Sequence, residues 1–191
     1  MQRISPVVLN LIILNVIFYI GIKFLIPYPQ WKEYFYLCSP STGHFHPVQI
    51  VTHMFNHADE QHLIFNMMSL YFIGPYVEQI LGQQRFLILY FLSGIIAGIA
   101  QLLLTTSCGL GASGAVFGVT TAFATMLPNM EMQIMFIPVP IKAKYLAIGL
   151  VLLGLYFGIS GQQAGIGHFA HVGGAIVGFL CIKYWKLSNL R

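Results

Sequence analysis

The chain has 191 residues, 57% of them hydrophobic and only 7% charged, with a mean hydropathy of +0.77 and a formal net charge of +4. A soluble domain carries roughly 25% charged residues, so this composition excludes a water-soluble globule and describes an integral membrane protein. The length suits a single domain, residues 1–191, of about six helices with short connections.

The first predicted span is Pro6–Ile26. It is too long for the apolar core of a cleavable leader, and no A-x-A-like site precedes the polar Pro27–Gln30 stretch, so it reads as retained. The connection Pro27–Glu60 is rich in aromatics, prolines and histidines. A long connection in a compact domain usually packs on the surface and carries function. The second span, Gln61–Ile80, is entered through His57-Ala-Asp-Glu-Gln-His62-Leu-Ile-Phe-Asn66. His62 and Asn66 stand at i and i+4 on one face, near the outer end, and both can donate hydrogen bonds. They suit interhelical polar contacts. Beside a nucleophile they also suit stabilisation of an oxyanion, where loss of one donor costs about 10²–10³ in rate. The remaining spans are Phe86–Leu104, Ser113–Leu127, Lys144–Ser160 and Gly167–Trp185. The expected fold is an all-α, six-transmembrane-helix bundle with a long first external loop.

Orientation follows from the basic residues. Arg3, Arg85, Lys142, Lys144, Lys183, Lys186 and Arg191 fall on one side of this arrangement, Lys23 and Lys32 on the other. Both termini are therefore expected in the cytoplasm. The basic residues are scattered singly, so no nucleic-acid partner is expected. Cys38, Cys108 and Cys181 show no paired framework, and each is read as a free buried thiol.

The fourth span is short. From Ser113 to Pro128 there is room for about 22 Å of helix against a hydrocarbon core of about 30 Å. With its cytoplasmic end pinned near Pro128-Asn129, Ser113 lies below the outer surface, reached by the non-helical segment Thr105–Ala112. Irregular backbone at that depth is tolerated only in protein or beside a water-filled cavity, so an outward-opening wet cavity is expected. The serine stands in Gly111-Ala112-Ser113-Gly114. In the sixth span His171 stands in Ala170-His171-Val172-Gly173-Gly174, on the same face as Gly174 and Gly178. Gly114 and Gly118 on one helix, with Gly174 and Gly178 on the other, allow close approach. That approach would bring the Ser113 hydroxyl to an imidazole nitrogen of His171. A small-residue packing motif with an incidental serine and histidine is the plainer alternative.

Taken together, Gly111-Ala112-Ser113-Gly114, Ala170-His171 with Gly174 and Gly178, and His57-x4-His62-x3-Asn66 resemble the rhomboid family of intramembrane serine proteases. Gly74-x3-Glu78-x3-Gly82 also looks like that family, and the likeness covers nearly all of a minimal six-helix bacterial form. The resemblance implies Ser113 as nucleophile and His171 as general base, without a third carboxylate. It further implies an oxyanion hole from the Ser113 N–H, His62 and Asn66, and an aromatic at Phe117 able to stack on the base, for which a core phenylalanine is the plainer alternative. It implies no metal and no cofactor. Transmembrane proteins in the lipid bilayer are the implied substrates, cut near the outer face after a small residue. The implied location is a bacterial cytoplasmic membrane. The five acids Glu33, Asp59, Glu60, Glu78 and Glu131 agree, since none lies in the sixth span or beside Ser113.

Two features depart from the family. Many relatives carry Trp-Arg where this chain has Val48-Gln49, so a loop contact must be made differently. His168 is expected to face outer water, and Glu78 to brace a helix end; His44, His46 and His53 receive no role. A histidine-box di-iron oxidase is a poor match, since it needs about eight ligands, and the seven histidines include no adjacent pair. That reading also leaves Ser113 unexplained. A non-catalytic helix-binding relative would typically lack the serine or the histidine. The oligomeric state is not readable from the chain.

Overall fold

The computed structural model describes residues 5–25, 33–133, 139–161 and 167–187. Arg3, Lys32 and Arg191, which enter the orientation argument, lie outside the described residues.

Helix α1 (Pro6–Ile20) starts with proline in its first turn, where the ring costs no hydrogen bond. The backbone N–H groups of Val7 and Val8 donate to the Glu78 carboxylate at 3.4 and 3.0 Å, so a buried acid caps this helix from a neighbouring one. This is the bracing role expected for Glu78. The helix runs on as a π-helical turn, Gly21–Leu25. A short helix α2 (Gln49–Thr52) and single 3-10 turns at Glu33–Phe35, Pro40–Thr42 and His53–Phe55 fold the first loop.

Helix α3 (Glu60–Leu81) is capped by Asp59, whose side chain accepts from the His62 N–H at 2.8 Å. It ends at Gly82, whose φ of +76° suits glycine, and α4 (Gln83–Leu104) begins at once. Helix α5 (Ser113–Met126) follows the irregular stretch 105–112 and stops before Pro128. A two-residue hairpin then pairs Glu131 with Lys142 and Met132 with Ile141, an element the sequence reading did not anticipate. Helices α6 (Ala143–Ser160) and α7 (His168–Tyr184) complete the bundle.

Among the described residues, three segments are long and apolar enough to cross a bilayer: Pro6–Leu25, Gln83–Leu104 and Ala143–Ser160. Their outer faces carry large apolar side chains such as Leu14, Ile17, Ile88, Leu152 and Ile159. In water such a surface would be prohibitive; against lipid it is the natural one. The shorter α5 is instead central, packed against α3, α4, α6 and α7. Buried Ala115, Val119, Ala122 and Phe123 join Leu70, Leu89, Tyr90 and Ile182 in the main core.

The α5–α7 contact depends on missing side chains. A Cβ on Gly174 would lie 2.0 Å from the Gly114 carbonyl oxygen, and one on Gly178 would lie 2.1 Å from that of Gly118. Backbone meets backbone at both points, which only glycine permits.

Candidate active site

Close approach of α5 and α7 puts the Ser113 Oγ 2.8 Å from His171 Nε2. Ser113 opens its helix, so the hydroxyl sits at the inner end of irregular backbone. With the hydroxyl as donor, the neutral imidazole presents its Nε2 lone pair and keeps its proton on Nδ1. Phe117, one turn along α5, stacks on the imidazole with centroids 4.3 Å apart and planes 8° from parallel. The ring is thus oriented by packing, with no carboxylate partner among the described residues.

Gly111 shapes the approach to Ser113. Its φ of +118° lies where L side chains rarely go, and a Cβ there would fall 2.7 Å from His62 Cε1. The imidazole of His62 therefore rests directly against the segment entering the serine. Ala58 N–H donates to His62 Nδ1 at 3.5 Å, which leaves the neutral ring's proton on Nε2. Asn66 is buried and donates through Nδ2 to the His62 carbonyl at 2.9 Å, one turn back on the same helix. Ser113, His171, His62, Asn66, Gly111, Gly114 and Phe117 all line one cavity of about 720 Å³. Gly174 and Gly178 do not line it; they sit behind it at the helix contact. Asp59 lines it too, with its carboxylate occupied in capping α3.

Several groups given no part by the sequence help to build the site. His53 lines the cavity, accepts the Gly111 N–H on its carbonyl oxygen at 2.9 Å and bonds Gln49 O through Nδ1 at 2.7 Å. Burial pushes its imidazole down to about 4. Gln101, near the end of α4, is buried against the same cavity. Nothing in their local spacing marks either one, because only the tertiary fold turns them inward.

Gln49, where many relatives carry arginine, makes its own contacts in the first loop. Fully buried, it accepts from Cys38 N–H at 3.2 Å and donates to the carbonyls of Glu33 and His44 at 3.0 and 2.7 Å. One neutral amide thus ties three points of the first loop together.

Two expectations are corrected. Cys38 and Cys108 are not free thiols; they form a disulfide, and only Cys181 is free among the described residues. The reason is tertiary: the neighbouring residues Leu37 and Gly109 pair as an antiparallel bridge, which brings the two cysteines together across 70 residues of sequence. His168 does not face water. It is 8% exposed, with its ring 5.5 Å from Phe157 and edge-on to His171 at 6.3 Å. Gly158 helps to make this possible, since a Cβ there would fall 3.1 Å from the Phe169 ring in the first turn of α7.

The family model for the rhomboid domain matches residues 44–186. Rhomboid protease GluP of Bacillus subtilis (strain 168) is 33% identical over 132 residues, covering 69% of this chain and 24% of the relative. Putative rhomboid protease YdcA of the same organism is 30% identical over 141 residues, covering 71% and 67%. Presenilin-associated rhomboid-like protein A, mitochondrial, of Danio rerio is 30% identical over 141 residues, covering 71% and 37%. The matched region is thus less than half of the GluP and Danio rerio proteins.

Proposed function

Because this chain belongs to the rhomboid family, we propose that it is an intramembrane serine endopeptidase that cleaves transmembrane proteins near the outer membrane face. The observation that carries this reading is the 2.8 Å contact between Ser113 Oγ and His171 Nε2 inside a cavity that His62 and Asn66 also line. Ser113 Oγ attacks the scissile carbonyl while His171 Nε2 takes its proton. The negative charge that develops on the carbonyl oxygen is met by the Ser113 N–H, the His62 Nε2–H and the free N–H of Asn66. The imidazolium then protonates the leaving amine. A water, deprotonated in turn by His171, hydrolyses the acyl-enzyme and restores the hydroxyl. Phe117 keeps the imidazole in plane through both proton transfers. No metal or cofactor enters this sequence of steps.

The topology we infer has six spans, formed by α1 and α3 to α7, with both termini cytoplasmic. The uneven distribution of basic residues supports it. The Cys38–Cys108 disulfide supports it independently, since such bonds persist in oxidising compartments and an external first loop would lie in one. A membrane helix hides its carbonyls in internal hydrogen bonds. The preferred substrates are therefore single-span proteins whose helices are weakened by Gly, Pro or polar residues, cut after a small side chain.

The test uses purified protein in liposomes with a single-span substrate. The wild type should cut it and react with a fluorophosphonate, and Ser113→Ala should do neither. Cleavage by Ser113→Ala at the wild-type rate would make the chain a helix-binding scaffold and end this reading. Replacing helix-weakening glycines in the substrate by leucine should slow cleavage; indifference would count against the unwinding step.

A further inference from the structure

Just before Ser113 the chain is fastened to the first loop. Leu37 N–H donates to Gly109 O and Gly109 N–H donates to Leu37 O, each at 2.8 Å. The adjoining residues, Cys38 and Cys108, are joined covalently. Residues 109–112 then lead directly into the serine, and on the way Gly111 N–H donates to His53 O at 2.9 Å. Tyr36, Leu37, Cys108, Gly109 and Gly111 line the same cavity as Ser113 and His171. The two residues differ in access: Cys38 is 6% exposed, whereas Cys108 is an exposed residue.

We propose that the Cys38–Cys108 disulfide is a redox switch on catalysis, holding residues 109–112 in the geometry that aims the Ser113 N–H and releasing them when a dithiol reduces it. The inference rests on the reading of Ser113 as nucleophile. In the reducing step a thiolate of the dithiol attacks the sulfur of Cys108, the more exposed residue. The S–S bond breaks, a mixed disulfide forms, and Cys38 leaves as a thiolate that takes up a proton. The second thiolate of the reductant displaces Cys108, which is protonated in turn. Two electrons pass to the protein, and the dithiol ends as its own disulfide. Backbone hydrogen bonds alone, those of the Leu37–Gly109 bridge and the one from Gly111 N–H to His53 O, then tie the segment to the first loop, a weaker tether than the covalent link. A small displacement of a catalytic donor is enough to cost about tenfold or more in rate.

The experiment equilibrates purified wild-type protein in buffers poised between oxidised and reduced dithiothreitol. Disulfide content is read by thiol alkylation, Ser113 reactivity by the rate of fluorophosphonate labelling, and turnover by cleavage of a test substrate. Labelling should fall about tenfold or more in step with loss of the disulfide. The fall should appear in kcat with little change in KM, leave helix content unchanged and reverse on reoxidation. Cys181→Ser should keep the full redox response, and the Cys38→Ser/Cys108→Ser double variant should label slowly at every potential. Equal labelling of oxidised and reduced protein would overturn the proposal. So would alkylation of both cysteines in untreated protein, a double variant as fast as oxidised wild type, or a loss of activity that tracks loss of helix. Failure of the oxidised wild type to label at all would instead bring down the nucleophile assignment, and this inference with it.

Discussion

In the proposed mechanism the Ser113 hydroxyl loses its proton, and the base hydrogen-bonded to it among the described residues is His171, at 2.8 Å. On that mechanism the two act as one unit. Ser113→Ala and His171→Ala should therefore each abolish cleavage in liposomes, and the double variant should be no worse than either alone. His62 and Asn66 differ in their engagement. Asn66 already gives one N–H to the His62 carbonyl, whereas the His62 imidazole keeps Nε2–H free beside Gly111. His62→Ala should accordingly lose about 10²–10³ in kcat, and Asn66→Ala less, as measured with one substrate under single-turnover conditions. Equal losses would assign the two donors equal shares of the oxyanion charge.

Among the elements, α5 and α7 have the least room for change. The Gly114 carbonyl is rigid backbone, so Gly174→Ala cannot be relieved by a side-chain rotation and must push the helices apart. A destabilisation of about 3 kcal/mol is expected, with loss of activity because Ser113 and His171 separate. Gly149→Ala on α6 is the control: nothing lies within 4 Å of a Cβ there, and alanine is the better helix former. Thermal unfolding in detergent should show a large drop for the first and none for the second. A tolerated Gly174→Ala would mean that the α5–α7 seam is looser than its geometry indicates.

Across the whole molecule, the first loop carries buried histidines that make stability depend on pH. Burial lowers His53 from an ordinary 6.5 to about 4. Burial, with the nearby His62 as a lesser cause, lowers His57 to about 3. Both ring nitrogens of His57 lack a hydrogen-bond partner among the described residues. Each imidazole is therefore neutral when folded and protonates more readily when unfolded. Stability is full above about pH 6.5 and is lost as the pH falls from there towards 4, by about 1–3 kcal/mol for each ring. Melting temperatures in detergent between pH 7.5 and 4.5 should fall on the acid side. His57→Gln should flatten that slope, and an unchanged slope would place the acid sensitivity elsewhere. Orientation is tested at the same scale: a reporter fused after Arg191 should be active only in the cytoplasm.

By itself the sequence determined the membrane class, because 57% hydrophobic residues with 7% charged leave no surface fit for water. It also marked the helices that meet, because small residues at fixed spacing have a packing consequence that is local to each helix. Ser113 and His171 could be singled out for the same reason: polar groups set among glycines at membrane depth are conspicuous. Only the tertiary structure decided the pairing of Cys38 with Cys108, the burial of His168 and the inward turn of His53 and Gln101. It also decided that Gln49 ties the first loop together. Those outcomes depend on which loop crosses which helix end. A segment of mixed aromatics, prolines and histidines has no period from which such crossings can be read, and contacts spanning 70 residues leave no mark on local spacing.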